Sequence, residues 1–310
     1  ISGAGGSGAR LHAASAKAAA TTRMRRVMGM FVNSFRNLTQ PRLQRQPCAT
    51  RNAAPILALA FLALGLLMPV QAFAETLEQR IARLEPYYDL RRPAGSVART
   101  PVVIMLHGCG GPRPFIEAMG DAAAGAGATA ILVDSFAPRR ISRVAAFATV
   151  CTGARLQGRE RAGDLYATIA WARRQTWADA GRISVIGWSH GAWTIIDALA
   201  LRSGEEMRRA TGLEDLAGEP LNGLAATMLV YPYTGVGTYT GRRDWRLSPR
   251  STAIIAERDY IVGSSRAALQ RQRARGTPME IHLFENATHA FEDEQAEDPR
   301  VRYNPAATTR

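Results

Sequence analysis

The stretch Arg182-Ile-Ser-Val-Ile-Gly-Trp-Ser-His-Gly191 decides the fold of this chain. A run rich in β-branched apolar residues leads into Gly187-Trp-Ser-His-Gly191, and an apolar segment with helical spacing follows it. This order of strand, sharp turn and helix is the setting in which a G-x-S-x-G serine stands exposed above a parallel sheet. The pattern therefore predicts that Ser189 is a nucleophile. The alternative is a Gly-rich turn whose serine only caps the helix, and the rest of the chain has to decide between the two.

After Pro101 the chain alternates short apolar runs with longer amphipathic stretches, which predicts an α/β fold with a mostly parallel central sheet. The predicted strands are 102–106, 128–133, 182–186, 225–230, 252–256 and 280–284. The predicted helices are 115–124, 159–174, 192–201 and 264–275. Because no internal repeat or Pro-rich linker interrupts this pattern, we expect a single domain.

Two polar segments, 203–223 and 231–250, do not fit this alternation. In open α/β sheets the ligand crevice lies beyond the carboxyl ends of the strands. The sequence therefore makes both segments candidates for the wall of the substrate site, but solvated loops would have the same composition.

Basic residues are concentrated at the N-terminal end of the chain. Residues 1–74 contain nine Lys or Arg and no Asp or Glu, so they carry nine of the formal net charge of +13 and leave +4 for the remainder. A nucleic-acid surface needs basic residues clustered on one face of a folded domain. The mildly basic remainder therefore argues against a nucleic-acid partner.

The N-terminal region has the pattern of a targeting segment. Arginines precede the apolar run 56–68, and Ala72-Phe-Ala74 supplies the small-x-small pattern that a signal peptidase accepts. We assign residues 1–50 to a disordered or over-extended segment, 51–74 to a signal peptide and 75–310 to the mature domain. This predicts an exported protein, periplasmic or secreted, that contacts the membrane only through this segment. An uncleaved N-terminal anchor is the alternative, because the apolar stretch is nearly long enough to span a bilayer.

The last residues look like the start of a helix. Asn304 fits the N-cap position and Pro305 the first turn. We expect that the domain lacks the remainder of its C-terminal helix.

His289 is the candidate base for the serine. A serine nucleophile needs a base to take its proton and a third group to orient that base. His289 follows the last predicted strand, which is where the base belongs when the order along the chain is serine, acid, histidine. His282 lies inside that strand, and the backbone of His190 directly follows the serine.

Asp259 is the candidate acid. It stands at the usual distance beyond the strand 252–256, and it precedes His289 as the order requires. Glu257 and Glu285 are rival carboxylates, but Glu257 is too close to its strand and Glu285 immediately follows the last one. A surface carboxylate paired with Arg258 is the alternative role for Asp259.

A glycine-rich loop, His107-Gly-Cys-Gly-Gly111, follows the first predicted strand. Attack on a carbonyl places negative charge on its oxygen, which backbone N–H groups can stabilise if they are held in position. We predict that the amides of Cys109 and His190 form this oxyanion hole. A tight glycine turn without such a role is the alternative.

Cysteine usage allows one disulfide in the exported protein. Cys48 precedes the expected cleavage site, so Cys109 and Cys151 would remain. An even pair in an oxidising compartment permits a bridge. Two free, partly buried thiols are the alternative.

The motifs His107-Gly-Cys-Gly-Gly111, Gly187-Trp-Ser-His-Gly191, Glu257-Arg-Asp259 and His289-Ala-Phe291 together resemble the dienelactone hydrolase family of α/β-hydrolases. The resemblance covers residues 101–291. It implies an eight-stranded, mostly parallel sheet cut to a smaller core and flanked by helices on both faces. It also implies hydrolysis of an ester or lactone through an acyl-enzyme. The name-giving enzymes have a cysteine nucleophile where this chain has Ser189, which moves the expectation toward a broader esterase.

The sequence therefore predicts a serine hydrolase that acts on a small-molecule ester or lactone with Ser189, His289 and Asp259. No metal or other cofactor is expected, because the histidines are scattered and no metal-ligand spacing occurs. One alternative is a peptidase of the prolyl oligopeptidase kind, whose catalytic domain shares this order of motifs. The other is a non-catalytic envelope protein with the α/β-hydrolase fold.

Overall fold

The computed structural model describes residues 74–95, 99–240 and 243–309. The N-terminal segment 1–50 lies outside these residues, and so does the predicted signal peptide except for Ala74. Within the described ranges, no helix is both long enough and apolar enough to cross a membrane.

Seven strands form the central sheet of the described residues, where the resemblance implied eight. In chain order they are β1 (Tyr88–Arg91), β2 (Thr100–Leu106), β3 (Thr129–Val133), β4 (Ala178–Trp188), β5 (Leu224–Val230), β6 (Arg250–Arg258) and β7 (Met279–Thr288). Their order in the sheet is β1-β3-β2-β4-β5-β6-β7, and each neighbouring pair is parallel except β1 with β3. Each of the six predicted strands overlaps an observed one, and the predicted α/β class is confirmed.

Strand β1 was not predicted from the sequence. Its residues Tyr-Asp-Leu-Arg include two charges, and none of the four is buried. It pairs antiparallel with β3 at the edge of the sheet, with Tyr88 opposite Val133. Because an edge strand has one neighbour and an open side, it does not need the apolar run that marked the other strands.

Helices join β2 to β3, β3 to β4, β4 to β5 and β6 to β7, and two more precede β1 and follow β7. They are α1 (Leu77–Leu84), α2 (Pro114–Gly125), α3 (Arg143–Thr149), α4 (Gly158–Arg174), α5 (His190–Ala200), α6 (Glu205–Thr211), α7 (Arg266–Ala274) and α8 (Pro305–Thr309). The four predicted helices match α2, α4, α5 and α7, whereas the short helices α1, α3 and α6 were not predicted. Helix α8 begins as expected, because the Asn304 side chain accepts a hydrogen bond from the Ala307 N–H at 3.0 Å.

The alternation of side chains along β2 divides the core between the two faces of the sheet. Ile104 and Leu106 belong to the cluster that includes α4 and α5 residues, and Met105 belongs to the cluster that includes Ile116 of α2 and Ala307 of α8. Successive strand residues point to opposite faces, so both faces of the sheet are covered by helices, as predicted.

The prediction that segment 203–223 forms a wall of the substrate site is wrong. Helix α5 begins at the carboxyl end of β4 and runs back along the sheet, so the segment that follows it lies at the amino ends of the strands and leads into β5. Its residues Leu213, Leu216 and Leu221 belong to the core. The polar composition reflects the exposed side of α6 and its flanking turns.

Candidate active site

Ser189 stands at the turn between β4 and α5. Its backbone has φ 51° and ψ −108°, a conformation that side-chain-bearing residues rarely adopt. The Ser189 N–H donates a 2.9 Å hydrogen bond to the carbonyl oxygen of Val230 at the end of β5. The strained residue is therefore held by the neighbouring strand, which is how such strain persists at functional sites.

The two glycines of this turn are required by close contacts between backbones. A Cβ added to Gly187 would overlap the backbone of Gly191, and a Cβ added to Gly191 would overlap the carbonyl oxygen of Leu106 in β2. Backbone atoms have little freedom to move away in a packed sheet. The predicted strand–turn–helix geometry of the G-x-S-x-G motif is thus what the structure contains.

The structure brings Ser189, His289 and Asp259 together. The Nε2 atom of His289 lies 3.0 Å from Ser189 Oγ, and its Nδ1 atom lies 2.7 Å from Asp259 Oδ2. An ionised carboxylate only accepts, so Nδ1–H donates to Asp259 and Nε2 is left to accept from the serine hydroxyl. The three side chains form one continuous hydrogen-bonded relay, although they come from the ends of three different strands.

Asp259 is itself held in place. Its Oδ1 atom accepts hydrogen bonds from the N–H groups of Ile261 and Val262, each at 3.0 Å. The carboxylate therefore uses one oxygen for its own loop and the other for His289.

Neither rival carboxylate has this arrangement. Glu257 accepts a 2.8 Å hydrogen bond from the Asn286 N–H, and Glu285 is exposed. His282 is also away from the relay, on β7 beside Glu280.

A buried carboxylate supports the loop that carries His289. The Tyr231 ring packs against the imidazole of His289, with 4.6 Å between the ring centroids. The Tyr231 hydroxyl donates to Glu292 at 3.0 Å, and the indole N–H of Trp188 donates to the other oxygen of Glu292 at 3.3 Å. Glu292 thus links the residue before the serine to the ring that packs on the histidine. Burial raises the pKa of Glu292 to about 7.

The raised pKa of Glu292 makes the stability of the protein depend on pH. Between its ordinary pKa of 4.5 and about 7, the unfolded chain has released this proton while the folded protein still holds it. The folded state therefore loses stability as the pH rises through this window, by on the order of 3 kcal/mol. We expect Glu292→Gln, which cannot ionise, to raise the melting temperature relative to wild type by several degrees more at pH 8 than at pH 5.

Thermal unfolding across pH 5–8 measures this difference. Glu297→Gln is the matched control, because the Glu297 side chain is 84% exposed. Equal pH dependence of melting in wild type and in Glu292→Gln would show that Glu292 does not ionise in this range.

The loop 107–111 approaches the serine, as predicted. A Cβ added to Gly108 would lie 3.5 Å from the Cβ of Ser189. Among the described residues, no hydrogen-bond acceptor is found for the N–H groups of Cys109 and His190. One of these N–H groups directly follows Ser189 in the chain, and the other follows Gly108, which approaches the serine.

Cys109 and Cys151 are joined by a disulfide, with their Cα atoms 5.1 Å apart. The bridge ties the loop 107–111 to the segment that follows α3. Cys109 also packs against a small apolar cluster that includes Phe136 and Val150. The structure therefore contains the disulfide and not the two free thiols.

Loss of this disulfide should lower both stability and activity. The bridge closes a loop with a sequence separation of 42 residues, for which chain entropy predicts a contribution of roughly 3–5 kcal/mol. We expect the Cys109→Ser, Cys151→Ser double variant to unfold at lower denaturant concentration and to turn over substrate more slowly. Reductant should then lower the stability and the turnover rate of wild type but not those of the variant. Two titratable thiols in denatured, unreduced protein would contradict the bridge.

The segment 231–250 divides between the site and the core. Tyr231 packs on His289, and Tyr233 packs on Trp193, one turn of α5 beyond the serine, with 5.2 Å between ring centroids. Trp245 instead belongs to the main core cluster, and Tyr239 packs against that cluster. The first part of the predicted wall therefore lies beside His289 and α5, whereas the prediction is wrong for the second part, which packs into the core.

Two residues of the site were missed from the sequence: Glu292, and Arg161, whose guanidinium donates to the His107 carbonyl oxygen at 2.7 Å. Arg161 lies on α4, in which Ala162, Leu165, Ile169 and Ala172 recur at helical spacing, a pattern that indicates core packing. The signal available was a charged residue adjacent to that apolar stripe. Glu292 gave no such signal. It lies in a run of acidic residues, and the sequence does not distinguish one buried carboxylate in such a run from its solvated neighbours.

A mostly parallel sheet with a serine at a strand–helix elbow, and with a histidine and an acid following the later strands, defines the α/β-hydrolase fold. This confirms the fold class inferred from the sequence.

Solved structures with this fold resemble the chain. One is a protein assigned as a dienelactone hydrolase from Klebsiella pneumoniae subsp. pneumoniae MGH 78578. The two sequences are 17% identical, and the match has a TM-score of 0.52 and covers 70% of this chain and 85% of that chain. Another is a thermophilic esterase of Thermogutta terrifontis, with 19% identity, 68% and 80% covered, and a TM-score of 0.46. No family model and no curated relative matches the chain.

Proposed function

We propose that this protein is a serine hydrolase of the dienelactone hydrolase type that cleaves carboxylic esters or lactones. The observation that carries the proposal is the relay from Ser189 through His289 to Asp259 at the nucleophile elbow. The free amides of Cys109 and His190 beside the serine support it. The likeness to a dienelactone hydrolase structure is consistent with it.

In the acylation step, Ser189 Oγ attacks the carbonyl carbon of the ester while His289 Nε2 takes the hydroxyl proton. Asp259 holds the Nδ1–H side of the ring and stabilises the imidazolium that forms. The carbonyl oxygen becomes an oxyanion, which the Cys109 and His190 N–H groups stabilise. When the tetrahedral intermediate collapses, His289 gives the proton to the departing alkoxide and an acyl-Ser189 ester remains.

Deacylation repeats these roles with water as the nucleophile. His289 removes a proton from water, the hydroxyl oxygen attacks the acyl carbon, and the same two amides stabilise the second oxyanion. Collapse releases the acid and returns the proton to Ser189. A serine is a weak nucleophile at neutral pH without a base, so the short Ser189–His289 contact is the part of the site on which both steps depend.

A panel of substrates tests the proposed function. We expect purified protein to hydrolyse carboxylic esters of several acyl chain lengths, and simple lactones, much faster than the matched amides. Preferential cleavage of prolyl or other peptide amides would favour the prolyl oligopeptidase alternative. Absence of turnover on every member would favour the non-catalytic alternative.

We further propose that the protein is exported and cleaved after Ala74. The apolar run 56–68 and the Ala72-Phe-Ala74 site support this proposal, and so does the disulfide, because disulfides persist in oxidising compartments. N-terminal sequencing of protein recovered from the envelope or medium should begin at Glu75. A membrane-bound product that retains Leu59 would establish the anchored alternative.

A further inference from the structure

Arg161 of α4 is completely buried beside the candidate active site. Its guanidinium makes three hydrogen bonds with the segments around Ser189. Nη1 donates to the carbonyl oxygen of His107 at 2.7 Å and contacts Nδ1 of His190 at 3.3 Å, and Nε donates to the Ser135 hydroxyl at 2.9 Å. One nitrogen of this side chain therefore bridges the two segments that carry the free amides.

The positive charge of Arg161 is not neutralised by a hydrogen-bonded carboxylate in the described part of the chain. Asp164, one turn further along α4, is held instead by Arg80 and Arg139, each at 2.8 Å. Burial lowers the pKa of Arg161 to about 10, so the guanidinium stays protonated at neutral pH. Asp164 and Asp134 act on Arg161 only through space, and a buried charge that lacks a hydrogen-bonded carboxylate is costly.

Arg161 holds the backbone of His107, and the side chain of His107 determines the direction of the Cys109 N–H through the neighbouring peptide. The His107 ring is neutral, since burial lowers its pKa to about 4. Its Nδ1–H donates to the carbonyl oxygen of Gly108 at 2.7 Å, and its Nε2 accepts from the Ser135 N–H at 3.3 Å. The Gly108 carbonyl and the Cys109 N–H belong to the same planar trans peptide and point in opposite directions. Holding this carbonyl therefore fixes where the Cys109 N–H points.

Arg161 also contacts the side chain of the residue that carries the second donor. Desolvation and the nearby guanidinium keep the pKa of His190 well below its ordinary value, so its ring is neutral and Nδ1 accepts from Arg161. The same ring packs edge-on against Trp193, with 5.0 Å between the centroids. The residue whose backbone N–H opens α5 is thus in contact with both a buried cation and an indole.

We propose that Arg161 is a positioning residue for the oxyanion hole: it sets the separation of the Cys109 and His190 amides and places a positive charge behind the oxyanion. The proposal rests on the proposed hydrolase function. Two donors must be held rigidly to stabilise charge without reorganising, and loss of a single oxyanion donor costs about 10²- to 10³-fold in kcat. The buried cation adds to this because its field acts in a medium of low dielectric constant.

Arg161→Met and Arg161→Lys test the proposal, with Arg80→Met as the matched control. Arg80→Met removes a buried guanidinium from Asp164 and does not touch His107 or His190. For each protein, kcat and KM are measured with a hydrolysed ester, the rate of Ser189 labelling is measured with a fluorophosphonate, and stability is measured by denaturation. Labelling also passes through an oxyanion-like transition state, so it reports on the hole without requiring ester turnover.

We expect Arg161→Met to lower kcat and the labelling rate by about 10²-fold, with KM within about threefold of wild type. Arg161→Lys keeps the charge but reaches fewer acceptors, so its loss should be about tenfold. Arg80→Met should lose stability and retain kcat.

A folded Arg161→Met protein with more than about half of the wild-type kcat and labelling rate would overturn the proposal, as would an equal loss in Arg80→Met. If Arg161→Met does not fold, unchanged kcat in Arg161→Lys overturns it. A wild-type protein that is labelled but hydrolyses no ester would refute the ester-hydrolase function, and the labelling rates would still decide the role of Arg161. A wild-type protein that does neither refutes both.

Discussion

Ser189→Ala is expected to lower ester hydrolysis by about 10⁴-fold or more while the protein stays folded. The relay acts as a unit, and what remains after removal of the nucleophile is the contribution of substrate binding and the oxyanion donors. Alanine at this turn keeps the Cβ that Gly108 approaches, so the contact of the loop 107–111 with the elbow is not disturbed. Initial rates with the best ester of the panel measure the loss.

Ser184→Ala is the matched control for this variant. Ser184 lies on the same strand, β4, five residues before the nucleophile, and is only partly buried. It should retain wild-type rates. Retention of more than about a tenth of wild-type activity by folded Ser189→Ala would show that the nucleophile has been assigned wrongly, given the loss expected for such a residue.

Asp259→Asn is expected to lower kcat by roughly 10²- to 10⁴-fold with little effect on folding. The asparagine amide can present an N–H₂ group to His289, which favours the ring tautomer with its proton on Nε2. That nitrogen could then no longer accept the proton of Ser189. The backbone contacts of Asp259 with Ile261 and Val262 involve the other oxygen, so the loop should keep its shape.

Glu257→Gln and Glu285→Gln decide between Asp259 and its rivals. Neither side chain bonds to His289 in the described structure, so each variant should stay within about threefold of wild type, as expected for surface positions. A much larger loss in either one than in Asp259→Asn would mean that another carboxylate orients the histidine.

Most of the fold could be predicted because the apolar runs of a buried parallel sheet are strong signals. The six buried strands and the four long helices came from that pattern, and the motif at 187–191 located the elbow. The elements that were missed are those whose stability comes from contacts distant in sequence. Strand β1 is held by pairing with β3, and α1 is anchored by Arg80, which binds Asp164.

The candidate site was predictable where its residues follow strand ends in a known order. Ser189, Asp259 and His289 each have a position defined by the nearest strand, so their meeting follows from the topology. Arg161 bonds to His107, 54 positions earlier in the chain. Glu292 bonds to Trp188, 104 positions earlier. A local sequence pattern contains no information on such contacts. The Cys109–Cys151 bridge is of the same kind, and from sequence it was only permitted.

The most direct measurement is the mass of the protein after reaction with a fluorophosphonate, followed by mapping of the modified peptide. An activated serine displaces fluoride and becomes phosphonylated, whereas ordinary serines do not react because no base removes their proton. We expect one adduct per chain, located on Ser189, at a rate that falls sharply in Asp259→Asn, and no adduct in Ser189→Ala. An unmodified Ser189 in folded wild-type protein, or an adduct that persists in Ser189→Ala, would contradict the assignment of Ser189, His289 and Asp259 as the catalytic relay.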